Sequence, residues 1–209
     1  MAWVATDDFN SYSDGSISGV NGGSGWSAGW VLGSGAIDVQ GTTVYEGAKA
    51  VTANTSLADL ASRALTSTVT VGTMYFAMRA SATTVVGFTI LENGSGTGKM
   101  YIKFDNDGNI KIFSNGSGTY VTLQAYSANT WYVIGIDFDN TGHANQYRAN
   151  VDGGAFSSYY TVNGGSYTSI SHVRLETDTG TGSVFWDRIS DTYPSSAVAT
   201  GYLTLLGVS

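Results

Sequence analysis

Apolar and polar residues alternate with a period of two along much of the chain from about residue 65 onward. Glycine and asparagine clusters separate these runs at intervals of about 8–12 residues, which is typical of a β-sandwich or barrel and not of alternating strands and helices. The sequence therefore predicts an all-β fold. The predicted strands are Leu65–Val71, Thr73–Ala80, Val85–Leu91, Met100–Phe104, Asn109–Phe113, Thr119–Ala125, Trp131–Phe138, Gln146–Val151, Ala155–Tyr160, Ser169–Glu176 and Ser183–Ile189.

Two hairpins are predicted from turn residues. Lys99–Phe104 and Asn109–Phe113 flank a loop that ends in Asp107-Gly108, a pair that tolerates positive φ. Tyr147–Val151 is followed by Asp152-Gly153-Gly154 and then by the Ala155–Tyr160 run, which predicts a second hairpin.

One segment fits two structures. Leu57, Leu60, Ala61 and Leu65 have helical spacing after the plausible N-cap Ser56. The same residues also fit a loop that enters the next strand. Both alternatives remain open from the pattern alone.

The first 35 residues are rich in glycine and serine, yet they carry Ile17, Val20, Trp26 and Trp30. Because a free linker rarely contains two tryptophans, we expect an ordered, irregular segment that packs its rings on the sandwich. We predict one domain over residues 1–194, followed by an apolar tail over residues 195–209 that packs on the domain or on a neighbouring subunit.

Composition agrees with the strand pattern and excludes several classes of function. The chain has 28 glycines, one proline and 13 tyrosines, and only 12% of its residues are charged, which suits strands and turns better than helical surfaces. It has no cysteine, so disulfides and thiolate zinc sites are excluded. A net charge of −7 disfavours binding to nucleic acid, and no run of 18 apolar residues predicts a membrane span.

Several motifs resemble those of one family. Asp7–Tyr12 with Gly15, and then Asn21–Trp26, resemble the opening of LamG-like jelly-roll domains from phage and bacterial surface proteins. The later stretches that fit are Thr130–Phe138, Tyr147–Asp152, Ile170–Leu175 and Ser183–Ile189. The resemblance implies a single antiparallel β-sandwich of the concanavalin A-like jelly-roll kind, with its first and last strands adjacent. Activities in that superfamily range from glycan binding and hydrolysis to structural roles in virions.

The sequence offers little for catalysis. Sandwich glucanases carry their carboxylates on a Glu-x-Asp-x-x-Glu strand, and this chain has no such pattern. Glu176 and Asp178 come nearest, at the predicted end of a strand. His143 and His172 do not have metal-ligand spacing. The protein is therefore predicted not to be an enzyme.

A structural calcium ion is the one cofactor considered, and none is required. The resemblance implies an ion between the N-terminal segment and the last strand, where Asp7, Asp8 and Asp187 stand. Carboxylates are suitable ligands for such a hard cation. The alternative is that these acids cap turns or accept hydrogen bonds from the backbone.

Glycan binding would use exposed aromatic rings flanked by polar residues, because rings stack on sugar C–H faces. The alternative for such rings is packing between strands, and Trp131 and Trp186 are predicted to lie in the core. The candidate glycan-binding residues are Tyr120, Tyr126, Tyr159, Tyr160 and Tyr167.

The tail suggests assembly. Its apolar residues fit strand addition to the sheet edge of a neighbouring subunit. They are Tyr202, Leu203, Leu205 and Leu206.

We therefore predict a non-enzymatic phage or phage-like virion structural protein, a capsid decoration or tail-associated subunit. Its expected partners are virion proteins or copies of itself, with a host-surface glycan as a further ligand. No basic n-region or apolar h-region opens the sequence, which predicts synthesis in a host cytoplasm and location in a virion. The alternatives are an extracellular carbohydrate-binding lectin module and, more distantly, a polysaccharide-degrading enzyme.

Overall fold

A computed structural model describes residues 3–55, 58–178 and 180–194, and over these ranges the chain folds into strands joined by turns and loops. Asn163–Gly165 form a short 3₁₀ turn. In the described part of the chain, no helix has the length and apolar character needed to cross a membrane. The strands are β1 (Gly15–Ser16), β2 (Val31–Ser34), β3 (Ile37–Gln40), β4 (Ala50–Asn54), β5 (Leu60–Val69), β6 (Val71–Ala80), β7 (Val86–Glu92), β8 (Gly98–Phe104), β9 (Asn109–Ser114), β10 (Thr119–Ala125), β11 (Trp131–Asp139), β12 (Gln146–Val151), β13 (Tyr160–Thr161), β14 (Ile170–Asp178) and β15 (Ser183–Ser190).

The strands form two antiparallel sheets, which confirms the predicted β-sandwich. The eight-stranded sheet has the order β1-β3-β4-β15-β6-β11-β12-β13, and the seven-stranded sheet has the order β10-β9-β8-β7-β14-β5-β2. Asp7 pairs with Ile189 of β15, so the N-terminal segment lies beside the last strand, as the family resemblance implied.

The core lies between the two sheets and is built by alternation along each strand. Within it, Phe104 stacks on Tyr126 with ring centroids 4.5 Å apart. Representative core residues are Met74, Phe76 and Met78 of β6, and Met100, Ile102 and Phe104 of β8.

Two predicted elements differ from the structure. Strand β5 begins at Leu60, so both alternatives for residues 57–65, a helix and a loop, are wrong from Leu60 onward. Packing favours a strand here, because Ala61 and Arg63 of β5 both point inward and are buried. The strand predicted over Ala155–Tyr160 is also wrong for most of its length, since only Tyr160 and Thr161 pair with β12.

The N-terminal segment packs its aromatic rings around a buried ion pair. Arg63 Nη1 lies 2.5 Å from Asp7 Oδ2, and both side chains are almost fully buried. Tyr12 Oη and Trp30 Nε1 donate hydrogen bonds to the same carboxylate at 2.7 and 3.1 Å. The Arg63 guanidinium also lies 4.7 Å from the centroid of Trp26. This cluster fixes the irregular segment against β5. The predicted tail, residues 195–209, lies outside the described residues.

Candidate functional site

The side chains on the outer side of the seven-stranded sheet combine charged groups with aromatic rings, and two of them, Ile90 and Glu92, are buried. Since Met100 and Ile102 of β8 face the core, Tyr101 and Lys103 face outward. We call this surface the Arg174 face. It consists of Phe88, Ile90, Glu92, Tyr101, Lys103, Lys111, Phe113, Tyr120, His172, Arg174 and Glu176.

An arginine bound to two glutamates occupies the centre of the Arg174 face. Arg174 Nη1 lies 2.7 Å from Glu92 Oε1, and its Nε lies 2.9 Å from Glu176 Oε2. Glu92 is fully buried, whereas 29% of the Glu176 side chain is exposed. Burial raises the pKa of both carboxyl groups, and the Arg174 charge opposes that rise. The guanidinium is therefore held in one orientation from both sides.

His172 lies beside this centre and stands opposite Glu92 in the strand register. Its Nδ1 lies 2.9 Å from Ser171 Oγ. Burial lowers the pKa of His172, which favours a neutral imidazole near neutral pH.

A row of aromatic rings continues the face from the charged centre toward the sheet edge. Ile90 pairs with Arg174 on one side and with Tyr101 on the other. The Tyr101 and Phe113 centroids are 5.9 Å apart, and those of Phe113 and Tyr120 are 5.2 Å apart, both in edge-to-face geometry. The rings are half-buried, so each presents part of its surface outward.

A lysine lies over the last ring of this row. Lys103 Nζ is 4.0 Å from the Tyr120 centroid, a cation–π distance. Its ammonium also pairs with Asp105 Oδ2 at 3.0 Å. Burial raises the pKa of the Tyr120 hydroxyl, which stays protonated and able to donate a hydrogen bond at neutral pH.

The carboxylates of the Arg174 face and its neighbour Asp178 differ in accessibility. Glu92 is inaccessible and shares the Arg174 guanidinium with Glu176. Glu176 and Asp178 lie two residues apart on β14 and project from the same side, about 6.6 Å apart along the strand. Inverting glycosidases have carboxyl groups about 6.5–9.5 Å apart, so this distance does not decide between binding and hydrolysis.

The five predicted glycan-binding tyrosines are not brought together. Tyr120 lies on the Arg174 face. Tyr159 stacks on His143 at the edge of the other sheet, with centroids 3.7 Å apart, and Tyr160 lies in β13.

Two of these tyrosines are not exposed, which corrects the prediction for them. Only 5% of Tyr126 and 4% of Tyr167 is accessible. Tyr126 stacks in the core and its hydroxyl donates to the Asp105 carbonyl at 3.1 Å. Tyr167 packs edge-on against Phe138 at 6.5 Å. Both rings therefore pack against neighbouring side chains, which was the alternative to glycan binding.

The three acids predicted to bind calcium accept hydrogen bonds or form an ion pair. Asp7 binds Arg63, and exposed Asp8 accepts a hydrogen bond from the Asn10 amide at 3.1 Å. Asp187 is fully buried and accepts three backbone N–H bonds, from Tyr45 at 2.8 Å, Glu46 at 3.2 Å and Arg188 at 2.7 Å. Burial raises the pKa of Asp187 to about 7. The described residues contain no group of three or more His, Cys, Asp or Glu side chains that could hold a metal ion.

Sequence reasoning missed most of the Arg174 face and misplaced one tryptophan. Alternation in β8 would have placed Tyr101 outward, but Arg174 and Glu92 come together only through the pairing of β14 with β7. Trp131, which was predicted to lie in the core, is half-buried on the outer side of the eight-stranded sheet, beside Tyr45 and Phe185.

The strand order and the two sheets define a jelly-roll β-sandwich. Similar solved structures include a β-glucanase of Bacillus licheniformis, at 14% identity over 93% of this chain and 100% of that one, with a TM-score of 0.55. Carbohydrate-binding module CBM66 of Bacillus subtilis is 10% identical over 77% of this chain and 95% of the other, with a TM-score of 0.52. A sialidase is 11% identical over 81% of this chain, with a TM-score of 0.60, and the matched part spans 17% of its length.

These likenesses show the fold, which is that of concanavalin A-like jelly rolls found in glycoside hydrolases and carbohydrate-binding proteins. No protein-family model matches the chain. No curated protein matches it by sequence.

Proposed function

We propose that this chain is a non-enzymatic carbohydrate-binding jelly roll whose Arg174 face contacts the glycan. The observation that carries the proposal is the row of half-buried rings that continues directly from the Glu92–Arg174–Glu176 centre. Sugars present apolar C–H faces beside hydroxyl groups, and this surface offers rings beside hydrogen-bonding groups in the same arrangement.

Each half of the face has its own part in binding. Tyr101 and Tyr120 supply ring surface for the C–H faces of the sugar. Arg174 donates to sugar hydroxyls, and the exposed oxygen atoms of Glu176 accept from them. Because Glu92 already orients Arg174, little side-chain entropy is lost when a ligand binds.

The non-enzymatic part of the proposal is supported by the position of the carboxylates. Glu92 is shielded from any ligand, and the accessible acid Glu176 is bound to Arg174. The predicted role as a virion structural protein rests in part on the tail, which lies outside the described residues, and it stays a prediction.

A glycan array followed by calorimetric titration of the best ligand tests the proposal. We expect Tyr101→Ala and Arg174→Gln each to weaken binding tenfold or more, which corresponds to about 1.4 kcal/mol or more. Tyr193→Ala, which removes an exposed tyrosine that packs on Tyr75 of the other sheet, is the matched control and should bind like the unmodified protein. Thermal melting of each variant verifies that it is folded.

Two results would contradict the proposal. One is the absence of binding to any glycan on the array. The other is unchanged affinity in folded Tyr101→Ala and Arg174→Gln variants.

A further inference from the structure

A cleft of about 410 Å³ opens between β10 and β12, which belong to different sheets. Its volume falls within the range of about 300–1,000 Å³ that is usual for small-molecule sites. None of its lining residues belongs to the Arg174 face, although β10 contributes residues to both. It is lined by Thr122, Leu123, Gln124, Ala149, Asn150, Val151, Gly154, Ala155, Ser157, Ser158 and Tyr160.

Irregular pairing on both sides creates this opening. The register of β10 shifts between Thr122 and Gln124, which is a β-bulge at Leu123. Such bulges commonly re-aim side chains at sheet edges and functional sites. On the other side, β13 pairs only with Gln146 and Tyr147, so the end of β12 pairs with β11 alone.

A loop closes the end of β12 and adds polar groups to the cleft. The Ser157 amide donates to the Ala149 carbonyl at 2.8 Å, and Ser157 Oγ accepts from the Ala149 amide at 3.2 Å. These two bonds hold Ser157 and Ser158 at the cleft.

The lining has the composition of a site for a neutral polyol. Tyr160 supplies a ring, while Leu123 and Val151 supply aliphatic surface. Gln124 supplies an amide, which can bind hydroxyl groups as donor and acceptor at once. Among the described residues that line the cleft, none carries a charge.

Asn150 helps to form the cleft instead of binding a ligand in it. Only 7% of Asn150 is exposed, and its Nδ2 donates to the Gly154 carbonyl at 2.9 Å, which ties the loop to β12. Its Oδ1 is buried close to Gly135 of β11, on the outer side of the eight-stranded sheet, and does not face the cleft.

We infer that this cleft is a second carbohydrate subsite, which takes one neutral sugar residue. The choice of a sugar rests on the proposed function, whereas the position and the neutral chemistry rest on the cleft alone. An acidic sugar is disfavoured because its carboxylate would find no cation in the lining. Two separate subsites would let one chain hold two glycans, or two parts of one glycan.

Amide-resolved NMR titration of the full chain tests this inference with methyl β-D-glucoside, methyl β-D-galactoside and N-acetylglucosamine. We expect at least one of them, at millimolar concentration, to shift the amides of residues 122–124, 149–151 and 157–160. Glucuronate should shift these amides at least fivefold less at the same concentration. Gln124→Ala and Tyr160→Ala should weaken the effect fivefold or more, whereas Tyr101→Ala should leave it unchanged.

The two proposals fail in different ways in this experiment. Shifts confined to the Arg174 face would overturn the cleft inference and leave the proposed function standing, and shifts confined to the cleft would do the reverse. Equal shifts with glucuronate, or unchanged affinity in both cleft variants, would also overturn the inference.

Discussion

At the scale of single residues, several acidic side chains of this sandwich are buried instead of exposed to solvent. Asp7 and Asp187 are both almost fully buried, yet they are satisfied differently. Asp7 is bound to a cation, Arg63, whereas Asp187 accepts only backbone N–H groups. Their responses to substitution should therefore differ.

Breaking the Asp7–Arg63 pair should strongly destabilise the fold. Asp7→Asn leaves the buried Arg63 charge without its counter-ion, for which a loss of about 3–5 kcal/mol in the free energy of unfolding is expected. Lys49→Met, which breaks the more exposed pair with Asp14, should cost less than about 1 kcal/mol and serves as the control. Chemical denaturation of both variants measures the difference, and equal losses would refute the role given to the buried pair.

Asp187 should make stability depend on pH between about 4 and 7. Its pKa is raised to about 7 in the folded protein, while a carboxyl in an unfolded chain titrates near 3.9. In this window the folded state binds the extra proton, so the contribution of Asp187 to stability is present below pH 4 and is lost as pH rises through 7.

The Asp187→Asn variant should lack this dependence. Relative to the variant, the unmodified protein should lose stability steadily from pH 4 to pH 7, by up to about 4 kcal/mol. Other buried acids, such as Glu92, titrate in both proteins and cancel in the comparison. If the difference in the free energy of unfolding between the two proteins is the same at every pH, Asp187 does not titrate in this range.

At the scale of strands, close packing on the outer side of the eight-stranded sheet depends on a glycine. A Cβ at Gly135 would lie 2.7 Å from the Tyr75 ring and still closer to Asn150 Oδ1. These neighbours belong to β6 and β12, the two strands that pair with β11 at this point. The central strand therefore admits no side chain here.

Gly135→Ala should accordingly destabilise the protein by about 1–3 kcal/mol through overpacking. Gly116→Ala is the matched control, because a Cβ there would meet nothing closer than 3.9 Å and should change stability by less than about 0.5 kcal/mol. Thermal melting of both variants measures the effect. A Gly135→Ala variant as stable as the control would mean that the sheet adapts at no cost.

The strands could be predicted from the sequence wherever alternation and turn residues agreed. β10 and β12 match the predicted bounds, and the hairpin of β8 and β9 forms around Asp107-Gly108 as expected. The prediction failed where long-range pairing overrode the local pattern. β5 runs through residues with helical spacing, and the loop after Asp152 replaces most of a predicted strand.

The candidate site was less predictable than the fold for a physical reason. Tyr120 could be found from its own strand, because exposure of a ring follows from alternation. The ion pair of Glu92 and Arg174 joins β7 to β14. These residues are about 80 positions apart in sequence, and no local pattern specifies their contact. The burial of Tyr126 and Tyr167 likewise depends on partners from other strands.

At the scale of the whole molecule, the fold is shared with proteins that cleave glycans and with proteins that bind them. Because one fold hosts many functions, the function of this chain depends on its own residues and not on the fold. We expect no release of reducing ends from β-glucans or other polysaccharides, and Glu176→Gln should not change that result. Release of sugars that depends on Glu176 would show that the protein is an enzyme.

A crystal structure of the full chain with an oligosaccharide selected on the glycan array tests the central claim most directly. We predict an intact oligosaccharide on the Arg174 face, with one sugar ring against Tyr101 and hydroxyl groups bonded to Arg174 and Glu176. A cleaved oligosaccharide, or one bound away from that face, would contradict it.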